Sequence, residues 1–177
     1  VLARYDFKAS GAMYSLFAAG LMFPMTVAIT PLYIMIKNLG LMNSLAGIIL
    51  PQIAFALPTT IIILVPFLRA IPKELEEAAW TLGCTRSQAF LKVVLPLALP
   101  GLAATAIFAF ITSWNEVFAA SALTLQNKTL TAFLLSLLDE SPLPFKFAGG
   151  FFLVVPALVF IFAVRRYLFT LWGIASR

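Results

Sequence analysis

The sequence predicts an all-α protein, a polytopic membrane helical bundle. Hydrophobic residues make up 62% of its 177 residues, whereas charged residues make up 11% and histidine is absent. Long charge-free apolar stretches recur along the chain, and a helix needs roughly 20 such residues to cross a bilayer. The net charge of +5 comes from basic residues scattered singly between these stretches. They form no basic patch of the kind that binds nucleic acid, so no nucleic-acid partner is expected.

The apolar stretches predict four spans, at about 9–36, 44–68, 93–115 and 147–168. Lys and Arg favour cytoplasmic loops. With both ends of the chain in the cytoplasm, nine of the twelve basic residues lie on that side, leaving Lys37, Lys128 and Lys146 outside. This orientation also makes the loop at 69–92 cytoplasmic. The shorter apolar run Leu130–Leu138 is too short to cross and is predicted to lie at the outer face.

The loop at 69–92 has the strongest local pattern in the chain. Pro72 suits the first turn of a helix, and three glutamates follow it near the positive end of the helix dipole. Apolar residues then recur at helical spacing, with small ones at the centre: Leu75, Ala78, Ala79 and Leu82. Gly83 permits the left-handed backbone that ends a helix, and Thr85 with Gln88 forms a capping box that starts another. The loop is therefore predicted to be two short helices joined by a tight turn.

This loop resembles the cytoplasmic signature of permease subunits in binding-protein-dependent ABC importers. The matching residues, at the family's spacing, are Glu77, Ala78, Ala79, Gly83, Val93, Val94, Leu95 and Pro96. The chain departs from the family at Val93, where isoleucine is usual, and at Leu82 and Cys84, where sugar permeases often have aspartate and alanine. The likeness covers nearly the whole chain and is greatest to the sugar and polyol branch, which it resembles also at Trp114, Asn115 and Glu116.

The resemblance implies a role for the loop. It would be a coupling helix that sits in a groove of a cytoplasmic ATPase and converts nucleotide-driven closure into movement of the spans. The core of that contact would be Glu77, Ala78, Ala79 and Gly83, with Arg86 at its rim, and Leu95 and Pro96 complete the signature. The alternative is an amphipathic loop lying on lipid headgroups. An acidic helix start is poorly suited to an anionic leaflet, which favours the coupling helix.

The resemblance also implies partners. Two copies of the ATPase would hold ATP and Mg, and this chain would hold no cofactor and no metal. A second permease subunit, forming a heterodimer, and an extracytoplasmic solute-binding protein would complete the complex in the bacterial cytoplasmic (inner) membrane. Family members usually carry two further spans upstream, so the chain would provide the last four of six. That agrees with a chain that starts at Val1 and has no signal-peptide pattern.

The sequence offers one candidate for the solute path, at the end of the third predicted span. Aromatic faces and amide or carboxylate groups suit sugar hydroxyls, and Trp114, Asn115 and Glu116 supply all three. The alternative is a tryptophan of the aromatic belt beside a solvated carboxylate. Both interpretations stay open at this point.

Other functional classes fit the sequence less well. A secondary transporter usually buries ionisable residues within its spans, and none of the charge-free stretches has one. A membrane enzyme would need a cluster of catalytic side chains, which the sequence does not show. Because no Gly-rich phosphate loop is present, the chain is expected to be a transport subunit without an ATPase site. An ABC permease for a non-carbohydrate solute remains an alternative.

Overall fold

The structure, a computed structural model, describes residues 2–5, 7–138 and 141–175, and every regular element in these residues is helical. The helices are α1 (Ser10–Gly20), α2 (Met25–Asn38), α3 (Leu45–Ala70), α4 (Glu74–Thr81), α5 (Arg86–Ala89), α6 (Leu95–Leu97), α7 (Leu99–Trp114), α8 (Phe118–Leu123), α9 (Leu130–Leu138) and α10 (Leu143–Ala175). A π-helical segment, Phe90–Val94, joins α5 to α6. The all-α membrane bundle predicted from the sequence is confirmed.

Two of the predicted spans are continuous helices. Helix α3 and the part of α10 over Leu143–Arg165 are long and apolar enough to cross a membrane. The hydroxyl oxygen of Ser44 accepts a hydrogen bond of 3.1 Å from the backbone N–H of Gly47 and so caps the start of α3. Three prolines lie inside α3 without interrupting it: Pro51, Pro58 and Pro66.

The first predicted span, 9–36, is divided into α1 and α2, whose axes are bent by 98°. The backbone N–H groups of Leu21 and Met22 turn back to carbonyls only three residues earlier, which closes α1. Pro24 then has an extended backbone (φ −73°, ψ 137°) and starts α2. A residue before proline is sterically pushed out of the helical region, so the chain turns where apolarity alone predicts a straight span.

The third predicted span, 93–115, is also bent. A helical run over Arg86–Leu97 meets α7 at an angle of 69°. Pro96 and Pro100 flank the bend and have no backbone N–H, so the carbonyls of Lys92 and Pro96 lose their usual helical donors. The second short helix of the 69–92 loop, α5, continues directly into the π-helical segment that leads to the third span.

Helix α7 lies at the centre of the bundle and packs against both α3 and α10, while α1 packs against α3. The crossing of α3 and α7 is close at Gly101, where an added Cβ would come within 2.7 Å of the Cβ and Cγ atoms of Phe67. Small residues at such crossings let membrane helices approach one another.

The start of α3 is tied to the segment after α8. Asn43 has a left-handed backbone (φ 56°). Its side-chain oxygen accepts a 2.7 Å hydrogen bond from the backbone N–H of Leu125, and its own N–H donates to the carbonyl of Leu123 over 3.1 Å. Ile36 of α2 and Leu123 of α8 are both 0% exposed and pack in one cluster beneath this junction. The junction therefore fixes α8 at the end of α3 that is opposite α4.

Candidate functional site

The turn between α4 and α5 has the conformation that the sequence predicts. Gly83 has a φ of +89°, and its N–H donates to the carbonyl of Trp80 over 2.9 Å. The capping box is formed: the N–H of Thr85 donates to the side-chain oxygen of Gln88 over 2.9 Å, and the N–H of Gln88 donates to the Thr85 hydroxyl oxygen over 3.3 Å. The predicted pair of short helices joined by a tight turn is confirmed.

Four of the predicted coupling residues are exposed around this turn, as is Leu82 of the predicted apolar stripe. We call these five residues the α4–α5 tip: Glu77, Ala78, Leu82, Gly83 and Arg86. Leu82 is 85% exposed, although it is a large apolar residue. The guanidinium carbon of Arg86 lies 5.7 Å from the centre of the Trp80 ring. The tip therefore presents small and apolar surface with one acidic and one basic side chain beside it.

Ala79, also predicted for the core of the ATPase contact, does not share the exposure of the tip. Its side chain is 8% exposed, in a helix that packs against α5 and the π-helical segment. Its carbonyl accepts a 3.0 Å hydrogen bond from the N–H of Cys84 and so closes the turn. A small residue here lets α4 pack closely.

Leu95 and Pro96 lie apart from the tip, in α6 beyond the π-helical segment. Leu95 is half-buried and Pro96 is exposed. These two positions lie in the irregular helical run between the tip and the bend before α7. Pro96 adds to the irregularity, because it has no backbone N–H to donate just after the π-helical residues. π-helical turns of this kind are frequent at functional sites.

Arg4 contacts the corner between α3 and α4, and the sequence does not reveal this contact. Its Nη1 donates a 2.7 Å hydrogen bond to the carbonyl of Ile71, and its Nε lies 2.8 Å from an oxygen of Glu76. Arg69 in turn donates to the carbonyl of Leu2 over 3.2 Å. Residues 4 and 76 are far apart in sequence, so no local spacing could have paired them.

Trp114 and Asn115 end α7, at the opposite end of the bundle from the tip. Trp114 is half-buried, and its indole N–H donates a 3.0 Å hydrogen bond to the carbonyl of Leu153 in α10. Its ring stacks on Phe110, with ring centres 5.6 Å apart. Asn115 is exposed. The indole of Trp114 thus links α7 to α10.

Glu116 is buried next to the start of α8. Its side chain is 8% exposed, and its two oxygens accept hydrogen bonds from the backbone N–H groups of Ala119 (2.7 Å) and Ala120 (3.1 Å). These N–H groups are in the first turn of α8, where a helix has no internal partner for them and where negative charge is favoured. The carboxylate therefore caps α8.

A groove of about 220 Å³ lies between the start of α3, the end of α7 and the start of α9, and we call it the α3–α7 groove. Its polar lining is Gln52, Ser113, Thr129 and Thr131, and Phe110 and Trp114 supply aromatic surface. The hydroxyl of Ser113 donates a 2.6 Å hydrogen bond to the amide oxygen of Gln52. An amide inside a long charge-free stretch is a signal in the sequence that could have identified Gln52 beforehand.

Comparison with known proteins identifies the family of the chain. Residues 1–170 match the family described as binding-protein-dependent transport system inner membrane component. The diacetylchitobiose uptake system permease protein NgcG of Streptomyces coelicolor is 44% identical over 123 residues, which cover 70% of this chain and 41% of that protein. The trehalose transport system permease protein SugB of Mycobacterium tuberculosis is 37% identical over 171 residues, 93% of this chain and 62% of that protein.

A third relative, the sulfoquinovosyl glycerol transport system permease protein SmoH of Agrobacterium fabrum, is 40% identical over 119 residues, 67% of this chain and 42% of that protein. The chain thus spans between 41% and 62% of the length of these three relatives. The resemblance carried by the 69–92 loop is confirmed. The chain belongs to the family of inner membrane components of binding-protein-dependent transport systems.

Proposed function

We propose that this chain is the membrane-spanning part of an ABC importer permease that moves a sugar or polyol across the cytoplasmic membrane. The observation that carries the proposal is the exposed α4–α5 tip, whose turn depends on the positive φ of Gly83 and which stands at the end of α3. The importer family and the permeases for diacetylchitobiose, trehalose and sulfoquinovosyl glycerol support this proposal.

The tip is suited to docking in a groove of an ATPase. Ala78 and Gly83 leave room for close approach, and Leu82 gains most by burial because 85% of it is exposed. Glu77 and Arg86 add charges that can fix the orientation of the partner. Force applied at the tip passes along α5, the π-helical segment and α6 to the bend before α7. That run is the element through which nucleotide-driven closure moves the spans.

The α3–α7 groove is our candidate for a stretch of the solute path. Sugar hydroxyls both donate and accept hydrogen bonds, and the amide of Gln52 and the hydroxyl of Ser113 can do the same. The rings of Phe110 and Trp114 supply the apolar surface on which a sugar ring can lie. Trp114 keeps its predicted role in this proposal, whereas Glu116 contributes by holding α8 in place.

The proposed complex follows from the resemblance and from the charge distribution. Both chain ends and the tip lie in the cytoplasm, in line with nine basic residues there against three outside. The ends themselves, Val1 and residues 176–177, are outside the described residues. A second permease completes a heterodimer, two ATPase copies bind ATP and Mg, and an extracytoplasmic receptor delivers the solute.

Reconstitution of the full-length permease with its second permease, ATPase and receptor in liposomes tests this function. We expect uptake of at least one labelled member of a panel of disaccharides and polyols. Uptake should require the receptor, and it should require ATP on the side of the membrane that carries the ATPase. An ATPase variant unable to hydrolyse ATP is the control. Uptake driven by an ion gradient without ATP would show a secondary transporter, and uptake confined to amino acids or peptides would reject the carbohydrate assignment.

A further inference from the structure

The N-terminal residues 2–5, which we call the N-terminal strap, lie against the end of α3 and the start of α4. Two hydrogen bonds and one ion pair hold them there, from Arg4 to Ile71 and Glu76 and from Arg69 to Leu2. A groove of about 470 Å³ separates the strap from α5 and the π-helical segment. The chain then leads from the strap into α1, which packs on α3.

One guanidinium group contacts both sides of the corner between α3 and α4. Ile71 is the cap residue that follows α3 and has an extended backbone (ψ 123°), at an end of the helix where backbone carbonyls lack helical partners. Glu76 is in the first turn of α4. Arg4 donates a hydrogen bond to the carbonyl of Ile71 and forms an ion pair with the carboxylate of Glu76. The angle between α3 and α4 is therefore fixed from outside the two helices.

The burial of this pair distinguishes it from an ordinary surface ion pair. The side chains of Arg4 and Glu76 are 13% and 18% exposed. A surface pair contributes little because water solvates either partner when the other is removed. In a largely buried pair, removal of one partner leaves the other charge without solvation, so the loss is larger. Lysine could replace only part of this contact, because one ammonium group would have to reach both the carbonyl and the carboxylate that the guanidinium reaches through two separate nitrogens.

We propose that Arg4 is a positioning residue for energy coupling, acting through Glu76 and Ile71. It makes the N-terminal strap a second connection between α4 and the spans, so that a displacement of α4 reaches α1 as well as α7. The inference rests on the proposed function, because the movement in question is the one that an ATPase imposes at the tip. The strap itself touches no solute and no nucleotide in this scheme.

The first measurement needs no transport. A nitroxide label is attached to Cys84, the one cysteine of the chain, in the full-length permease with any cysteine outside these residues replaced. Cys84 is half-buried beside Gly83, so its label reports how firmly α4 and its turn are held. We expect Arg4→Gln to increase the mobility of the label. Lys8→Gln removes the same charge from an exposed side chain nearby and should leave the spectrum unchanged.

The second measurement uses the complete transporter in liposomes. For Arg4→Gln we expect solute taken up per ATP hydrolysed to fall roughly three- to tenfold, with the amount of assembled complex and the KM for solute unchanged. Glu76→Gln should have the same effect, and the double variant should be no worse than the worse single variant. Glu74→Gln, an exposed carboxylate in the same helical turn, is the control. Arg4→Lys should recover only part of the loss.

The outcomes separate the two proposals. An unchanged label spectrum in Arg4→Gln overturns the positioning role whether or not the wild-type complex transports. Additive effects of Arg4→Gln and Glu76→Gln, or a loss explained wholly by less assembled complex, also overturn it. Failure of the wild-type complex to transport any solute counts against the proposed function alone, since the label spectrum still decides the role of Arg4.

Discussion

The hydroxyl of Ser113 in α7 donates a hydrogen bond of 2.6 Å to the amide oxygen of Gln52 in α3, between residues 61 positions apart in the sequence. Both side chains line the α3–α7 groove beside Trp114. Hydrogen bonds between membrane helices stabilise the fold by only about 0.6 kcal/mol on average. Because this stabilisation is small, we expect the two polar residues to contact the solute, as the proposed function requires.

Replacing Gln52 by leucine tests that explanation. The folded protein should lose about 1 kcal/mol or less, because one interhelical hydrogen bond is removed and an apolar side chain suits the helix. Uptake at low solute concentration should fall about tenfold, because a solute hydroxyl loses its partner. Thermal unfolding in detergent and uptake in liposomes measure the two effects.

The matched control for Gln52→Leu is Thr60→Val, on the same helix. The Thr60 hydroxyl bonds only to the carbonyl of Leu57 within α3, over 2.9 Å. Equal uptake in the two variants would remove Gln52 from the solute path.

Glu116 should matter for stability more than for transport. Glu116→Ala leaves the N–H groups of Ala119 and Ala120 buried without acceptors, which should cost about 1–3 kcal/mol. Glu116→Gln keeps one accepting oxygen and should cost less. Thermal unfolding of the purified permease measures both, with the exposed neighbour in Asn115→Ala as the control. An alanine variant that unfolds normally but transports nothing would return the carboxylate to the solute path.

Local sequence signals predicted local structure well. The positive φ of Gly83 and the capping box of Thr85 with Gln88 depend on residues at most three positions apart. The short apolar run Leu130–Leu138 forms a helix, α9, with those bounds. Such features follow from the conformational freedom and hydrogen bonding of neighbouring residues, so a sequence contains nearly all that determines them.

The direction of the helix axes and the contacts between residues distant in sequence were not predictable in the same way. Hydropathy counts apolar residues but not the course of the helix axis, so the bends of 98° and 69° were not predicted. The presence of a proline does not predict a bend either, because Pro51 and Pro58 lie inside the continuous helix α3 whereas Pro24 starts α2 after a turn. The Arg4–Glu76 pair needs the assembled chain to bring its partners together.

The backbone of Gly83 predicts a separation between membrane insertion and transport. Gly83→Val should cost about 1–3 kcal/mol of strain, because a β-branched residue resists a φ of +89°. An added Cβ meets nothing within 4 Å, so the cost comes from the backbone and not from crowding. We expect normal amounts of protein in the membrane but a steep fall in uptake and in substrate-stimulated ATPase activity.

Two further variants control for Gly83→Val. Gly83→Asn should be milder, because asparagine tolerates the left-handed region. Gly11→Val also adds a side chain in open space, but inside the regular helix α1, and should transport normally. If Gly83→Val and Gly11→Val moved solute at the same rate, the conformation of the turn would be irrelevant to coupling.

Adjacent alanines in α4 should respond in opposite ways to the same substitution. Ala78 is exposed at the tip, so Ala78→Glu should leave the thermal stability of the purified permease within about 0.5 kcal/mol while reducing the amount of ATPase that copurifies with it. Ala79 is 8% exposed, so Ala79→Glu must bury a carboxylate or displace α4, and the permease alone should be destabilised by at least about 2 kcal/mol. Ala9→Glu makes the same change at an exposed position before α1 and should alter neither quantity. Thermal unfolding and quantitative copurification on the three variants decide the matter, and normal ATPase binding by Ala78→Glu would mean that the partner docks elsewhere.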